Sequence, residues 1–130
     1  MNKDIGPKHL EVSIRAVLGI AAQWSVSDEQ LAQLLAADTA EVARWRRDGP
    51  RFQSYSDEAL QTMVTRLSYL LGIYKALHTL FSDPEQANGW IQRPHNRGQL
   101  AGKSALQYML DEGVDGLAYV RRNLDSVVHS

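Results

Sequence analysis

The sequence predicts an all-α protein, and three observations carry that prediction. Apolar residues recur at three- and four-residue spacing through most of the chain, the period of a helix with one buried face. No segment alternates apolar and polar residues as a half-buried strand does, and Asn88-Gly89 lies inside a helix-like segment, not between two apolar runs. Capping residues and helix breakers fall at the ends of the periodic segments.

The first helix is expected from about Lys8 to Gln23, entered through Gly6-Pro7, with Leu10, Ile14, Val17, Leu18 and Ala21 on one face. Ser27 reads as an N-cap with Gln30 completing a capping box, opening a short helix over Asp28–Leu35 that turns Leu31, Leu34 and Leu35 inward. Ala36-Ala37-Asp38 breaks it. Asp38 or Thr39 caps a third helix to Arg47, anchored by Val42 and Trp45 and ended by Asp48-Gly49-Pro50.

Ser56 caps a long fourth helix, Asp57–Leu80, with Leu60, Met63, Val64, Leu67, Leu70, Leu71, Tyr74 and Leu77 on a broad apolar face. At about 1.5 Å per residue it spans roughly 35 Å, enough to give both halves of the chain something to pack on. Tyr69, Ile73 and Leu80 widen that surface, as a core helix contacted on several sides or a dimer seam would require. A fifth helix is capped by Ser82 or Asp83, with Pro84 at its first position, and reads on to Ile91. Arg93–Gly102 is a loop, Ser104 opens a sixth helix to about Asp111, and Val114–Val128 is the last. A soft boundary falls within residues 49–56.

Composition sets limits. Of 130 residues, 44% are apolar and 22% charged, which suits a globular chain of one or two small units and argues against global disorder. Net charge is −1, so binding to nucleic acid or anionic membrane needs a local cluster. The absence of cysteine excludes disulfides and thiolate metal sites. Met1–Pro7 lacks a signal-like apolar run, and no stretch approaches the roughly 18 apolar residues of a membrane span. A cytoplasmic protein with no membrane association is expected.

Two short helices joined by a tight turn and preceded by a third match a DNA-reading helix-turn-helix. The reading helix would be Thr39–Arg47. Thr39, Glu41, Arg44, Arg46 and Arg47, with Arg51 just beyond, are the candidate DNA-binding residues, since arginine reaches phosphates and the O6 and N7 of guanine. A plain helical hairpin with a solvated arginine face accounts for the same pattern. Acids and bases balance in residues 1–55, so no strong positive field surrounds the helix.

In the second half, Gly98–Ser104 is one residue short of a phosphate-binding loop and follows no strand. A sharp turn at Gly102 with Ser104 as a cap is expected there. His9, His78, His95 and His129 have no i,i+4 histidine partner, so no metal site and no cofactor are expected. Ser25, Ser27 and Asp28 have no nearby histidine for a triad, and the expectation is a binding protein, not an enzyme. Asp111, Glu112 and Asp115 read as a solvated acidic turn.

Leu80-Phe81, Ala87, Trp90-Ile91, Pro94-His95-Asn96, Leu100, Gly102-Lys103-Ser104-Ala105 and a closing helix with Val120 and Leu124 together resemble the C-terminal toxin-binding domain of the Xre–MbcA–ParS antitoxins. Leu31-Ala32, Val42, Ala43-Arg44-Trp45 and Gly49 resemble the Xre-type helix-turn-helix of the same family. The resemblance runs from about Ile14 onward and rests on the order and spacing of its motifs. Ala36 departs from it where the helix-turn-helix usually has glycine, Ser104-Ala105 where proline is frequent, and Ser126 where glycine is common.

That resemblance implies an Xre-like helix-turn-helix unit, residues 1–55, followed in 56–130 by a long connecting helix and a small helical toxin-binding domain. It implies a type II toxin–antitoxin role: a RES-domain toxin that consumes NAD would be neutralised by direct binding, the C-terminal end lying over the toxin's active site. Operator DNA, repression of its own operon and a homodimer are further implications. Carried over by position, Trp90, Pro94, Asn96 and Gly102 match the docking loop and its supports, with Trp45, Trp90 and Gly102 structural. The toxin contacts would be Arg93, Asn96, Arg97 and Lys103, and the tail Ser126, Val127, Val128, His129 and Ser130. The alternative is a stand-alone helix-turn-helix transcriptional regulator whose second half only dimerises.

Overall fold

The computed structural model describes residues 7–96 and 98–129, with side chains from His9 onward. Among them the chain forms seven α-helices: α1 (Pro7–Gln23), α2 (Asp28–Leu35), α3 (Thr39–Asp48), α4 (Asp57–Leu80), α5 (Pro84–Gly89), α6 (Ala105–Glu112) and α7 (Val114–Val128). Short 3-10 turns cover Trp90–Gln92 and Gly98–Leu100. The all-α expectation holds: among the described residues extended pairing is confined to an isolated bridge between Pro94 and Ser104.

The chain divides into two compact units between Ser68 and Tyr69, inside α4. The breakers in residues 49–56 point to a boundary just before that helix. The apolar face of α4 continues across the division, however, and its first part joins the first unit: Met63 and Leu67 are buried there, and Arg66 donates to the Leu34 carbonyl at 3.2 Å.

In the first unit α1 buries Leu10, Ile14, Val17, Ile20 and Ala21, and the chain leaving it buries Trp24 and Val26. The capping box is formed: Ser27 Oγ accepts the Gln30 N–H at 3.1 Å, and Gln30 Oε1 accepts the Ser27 N–H at 3.0 Å. Leu31, Ala32, Leu34 and Leu35 turn inward from α2. Ala36 then takes a left-handed conformation, φ 58° and ψ 43°, and its N–H returns to the last turn of α2. Asp38 is the N-cap residue of α3, which ends where the Gly49 N–H meets the Trp45 carbonyl at 2.9 Å. Val42 and Trp45 are buried, Phe52 lies 6.2 Å from Trp45 between ring centroids, and Tyr55 meets Phe52 edge-on at 5.3 Å. Burial, and then the Glu41 carboxylate, push the Tyr55 phenol above its usual range.

In the second unit α4 buries Leu70, Ile73, Ala76 and Leu77. Ile73, off the main stripe in the sequence, is completely covered. Asp83 Oδ1 accepts the Glu85 N–H at 3.1 Å, with Pro84 opening α5. The helix expected to reach Ile91 tightens after Gly89 into the 3-10 turn that buries Ile91. Ser104 Oγ accepts the Gln107 N–H at 3.0 Å and starts α6, which buries Ala105, Leu106, Tyr108 and Met109. On α7, Leu117, Val120 and Leu124 close the core.

Candidate functional site

The end of α4, the segment from Trp90 to Leu100, and α7 enclose a cleft of about 530 Å³. Leu80, Phe81, Trp90, Leu100, Tyr119, Val120, Leu124 and Val127 supply most of its wall, with His95 and Asn123 as polar points. Val127 is 56% exposed, so it stands where the cleft meets solvent. An exposed valine beside a concave apolar wall is surface that a partner would remove from water.

The loop side of the cleft is held by its own hydrogen bonds. The His95 N–H donates to the Lys103 carbonyl at 3.1 Å, and the Gly102 N–H donates back to the His95 carbonyl at 2.7 Å. These bonds pinch the loop at its base, beside the Pro94–Ser104 bridge. The His95 ring stacks on Trp90 at 4.5 Å, and its Nε2 lies 3.3 Å from the Trp90 carbonyl, which requires the proton on Nε2. Gly98 has φ +56°, and a Cβ there would lie 2.5 Å from Tyr119 Oη. Tyr119 Oη accepts the Gln99 N–H at 3.0 Å, and Tyr108 Oη donates to Gln99 Oε1 at 2.6 Å. Burial, with the Glu112 carboxylate next, pushes the Tyr108 phenol upward, which keeps it protonated as that donor.

The residues singled out for docking are differently placed. Arg93 is half-buried, and its guanidinium caps the Gln86 carbonyl of α5 at 3.1 Å. Asn96 is exposed beside Gly102, whose φ of +93° makes the expected sharp turn. Lys103 Nζ lies 2.7 Å from Asp111 Oδ2, and Gln107 Nε2 donates to Asp111 Oδ1 at 2.9 Å. Asp111 is therefore paired where a simply solvated turn was expected. The hydrogen bond from Lys103, then that from Gln107, holds its carboxyl below the usual range, and the same bond raises Lys103. Ser126, Val127 and Val128 form the last turn of α7, and the His129 N–H donates to the Asp125 carbonyl at 3.0 Å. The helix runs through Val128, as its sequence pattern predicts, so the first three of these residues are helical. Arg97 and Ser130 lie outside the described residues.

Among the described docking residues only Val127 lines the cleft. Trp90, assigned a structural role, is half-buried in the cleft wall, while Ile91 beside it is fully buried. Tyr119 and Asn123 belong to no motif in the sequence, yet both line the cleft. The available signal was a stripe on α7, residues 119, 120, 123, 124 and 127, wider than one buried face needs. His78 is half-buried and satisfied: its Nε2 lies 2.9 Å from Asn88 Oδ1 and its ring 4.2 Å from Tyr74.

In the first unit α3 projects the residues singled out for DNA. Arg44 pairs with Glu41 at 2.9 Å, Arg46 with Asp28 at 2.8 Å, and Arg47 with Asp48 at 3.2 Å. Thr39 opens the helix and Arg51 follows it, both exposed. Among the described residues no group of three or more histidines and carboxylates could hold a metal ion, and no helix is long and apolar enough to cross a membrane.

Residues 76–129 match the model of the antitoxin Xre/MbcA/ParS C-terminal toxin-binding domain, a range that lies within the second unit and takes in the whole cleft. The chain is also similar along most of its length to a protein of Sinorhizobium fredii (strain NBRC 101917 / NGR234) named "Uncharacterized protein y4oB". The two are 34% identical over 121 residues, covering 92% of this chain and 84% of that protein.

Proposed function

The chain belongs to the Xre/MbcA/ParS family of antitoxins, and from that membership we propose that it neutralises a RES-domain, NAD-consuming toxin by direct binding through residues 83–130. The observation that carries this reading is the apolar cleft inside the segment that matches the toxin-binding domain, with exposed Val127 at its edge. An apolar element of the toxin fills the cleft and removes its walls from water, which supplies most of the affinity. Asn96, Arg97 and Lys103 at the loop make polar contacts around it. The last turn of α7 and the residues after it, Ser126–Ser130, lie over the toxin's active site and keep substrate out. The chain acts by occupying that site, with no catalysis and no cofactor of its own, in the cytoplasm.

Co-expression tests this. Full-length chain should restore growth to cells expressing the neighbouring toxin, and deletion of Val127–Ser130 should abolish the rescue while leaving the thermal unfolding midpoint close to that of the full chain. Full protection by the truncated chain would refute occlusion by this segment.

The first unit supports a second activity of the same protein. We propose that α2, the turn after it and α3 act as a helix-turn-helix, and that a homodimer sets α3 in the major groove of operator DNA to repress its own operon. Loss of operator binding in Arg44→Ala and Arg46→Ala, with a shallower salt dependence, is the expected result. Unchanged binding in both would move the contact off α3. A stand-alone regulator would bind operator in the same way and protect no cell from a toxin.

A further inference from the structure

The ion pairs of α3 follow a pattern that the operator-binding reading does not require. Arg44, Arg46 and Arg47, the three arginines of the helix, each meet a carboxylate of their own chain. Two of these pairs are local, Arg44 with Glu41 one turn back and Arg47 with its neighbour Asp48. The third joins two elements: Asp28, the first residue of α2, reaches Arg46 near the end of α3. Asp28 stands in the first turn of α2, where an acidic side chain also faces the positive end of the helix dipole.

A guanidinium that receives a carboxylate at 2.8 Å presents the geometry it would present to a phosphate oxygen. Both side chains remain open to water, at 38% and 35% exposure, so the pair can open without unfolding the unit. Exposed pairs of this kind hold their partners by no more than about fivefold. Acids and bases balance in residues 1–55, and no long-range positive field compensates for the masking.

We propose that Asp28 is an internal competitor for the phosphate site of Arg46, so that DNA affinity is set by exchange between the chain's own carboxylate and the DNA backbone. This rests on the reading that α3 contacts DNA. A phosphate must displace Asp28 before Arg46 can engage, and the displaced carboxylate then faces the polyanion. The pair therefore lowers affinity without distinguishing sequences and flattens its dependence on salt. Glu41 is a poorer handle on the same effect, because its side chain is only 19% exposed and lies against Tyr55.

The test uses the full chain and a fluorescent mixed-sequence DNA duplex, titrated across a range of salt concentrations. Asp28→Asn should tighten binding about three- to tenfold at low salt and steepen the slope of log affinity on log salt by about one counterion. Glu29→Gln removes the adjacent carboxylate, which is exposed and makes no ion pair among the described residues, and should change affinity less than twofold, about the scatter of such measurements. In an Arg46→Ala background Asp28→Asn should gain less than twofold, as Glu29→Gln does, because no guanidinium is left to release and only the bare charge is removed. Equal gains from Asp28→Asn and Glu29→Gln would overturn the proposal in favour of a net-charge effect. So would an unchanged affinity in Asp28→Asn, if Arg46→Ala still weakens binding. Wild-type affinity in Arg44→Ala, Arg46→Ala and Asp28→Asn alike would overturn the α3 reading, and the competition with it.

Discussion

In the first unit the arginines that project from α3 each meet a carboxylate of the same chain within 3.3 Å; in the second, the surface between the end of α4 and α7 is apolar and left open as a cleft of about 530 Å³. The contrast separates two ways of being ready for a partner. A charge already paired gains little from a new partner, because binding exchanges one carboxylate or phosphate for another. An apolar wall facing water has no such alternative, and covering it is favourable at roughly 25 cal/mol per Å². Affinity should therefore reside mainly in the second unit and electrostatic tuning in the first.

The two tryptophans give the sharpest way to break that comparison. Trp45 is buried to 2% exposure on the inner face of α3, whereas Trp90 is half-buried in the cleft wall under the His95 ring. Trp45→Ala should destabilise the first unit by about 3–5 kcal/mol, read by chemical denaturation. Trp45→Phe should cost much less, since the indole Nε1 is buried without a hydrogen-bond partner and its removal leaves no polar group unsatisfied. Trp90→Ala should cost only about 1–2 kcal/mol of stability while weakening toxin binding more than tenfold in a direct titration. Equal stability losses at the two positions would mean that Trp90 is a core residue and the cleft is not a docking surface.

The same contrast explains which features were legible in the sequence. Helix bounds were readable because Ser27, Ser56, Asp83 and Ser104 combine with apolar periodicity, and each of the four accepts a backbone N–H at a helix start. The inward residues Val42 and Trp45 were readable from their three-residue spacing. The cleft was not, since a stripe such as Tyr119–Leu124 looks the same whether neighbouring elements cover it or leave a gap. Periodicity reports which face is apolar, not what stands opposite. The pairing of Arg46 with Asp28 was equally hidden, for their contact depends on how α2 and α3 pack. The hydrogen bond from Arg93 to the Gln86 carbonyl was hidden for a related reason: a charged residue in a loop carries no sign in the sequence of the carbonyl it caps.

Left-handed residues in the two units form a second matched pair, with smaller effects of opposite sign. Gly98 has φ +56° and no room for a Cβ beside Tyr119 Oη. Gly98→Ala should cost about 2–3 kcal/mol, from the left-handed backbone and loss of the Gln99–Tyr119 hydrogen bond. It should also weaken toxin binding, because the loop wall of the cleft shifts. Ala36 is the reverse case. It holds φ 58° at the end of α2, where the resemblance calls for glycine, so the turn keeps a glycine-type conformation with an alanine in it. Ala36→Gly should stabilise the first unit by about 1 kcal/mol and raise its unfolding midpoint by a few degrees. A loss of stability would mean that the added freedom of the unfolded chain outweighs relief of the strain.

The smallest effect concerns Lys103 and Asp111, the second unit's counterpart of Arg46 and Asp28. The hydrogen bond from Lys103 is the main reason the Asp111 carboxyl lies below its usual range, with Gln107 second, and the same bond raises Lys103. The signs fix the pH window. A lowered carboxyl contributes above its unfolded value and loses that contribution as pH falls through the folded one; a raised lysine contributes below its unfolded value and loses it as pH rises through the folded one. The pair therefore acts across the whole neutral range and fails only at the acid and alkaline ends. Both side chains are exposed, and the change in global stability on breaking the pair should be close to the limit of detection. A side-chain carboxyl titration by NMR reads it directly. In Lys103→Gln the Asp111 carboxyl should move up towards the ordinary aspartate range while remaining somewhat low, because the Gln107 amide still donates at 2.9 Å. An unmoved Asp111 would show that Lys103 stays free in solution, leaving it available to a partner in a way that Arg46, tied to Asp28, is not.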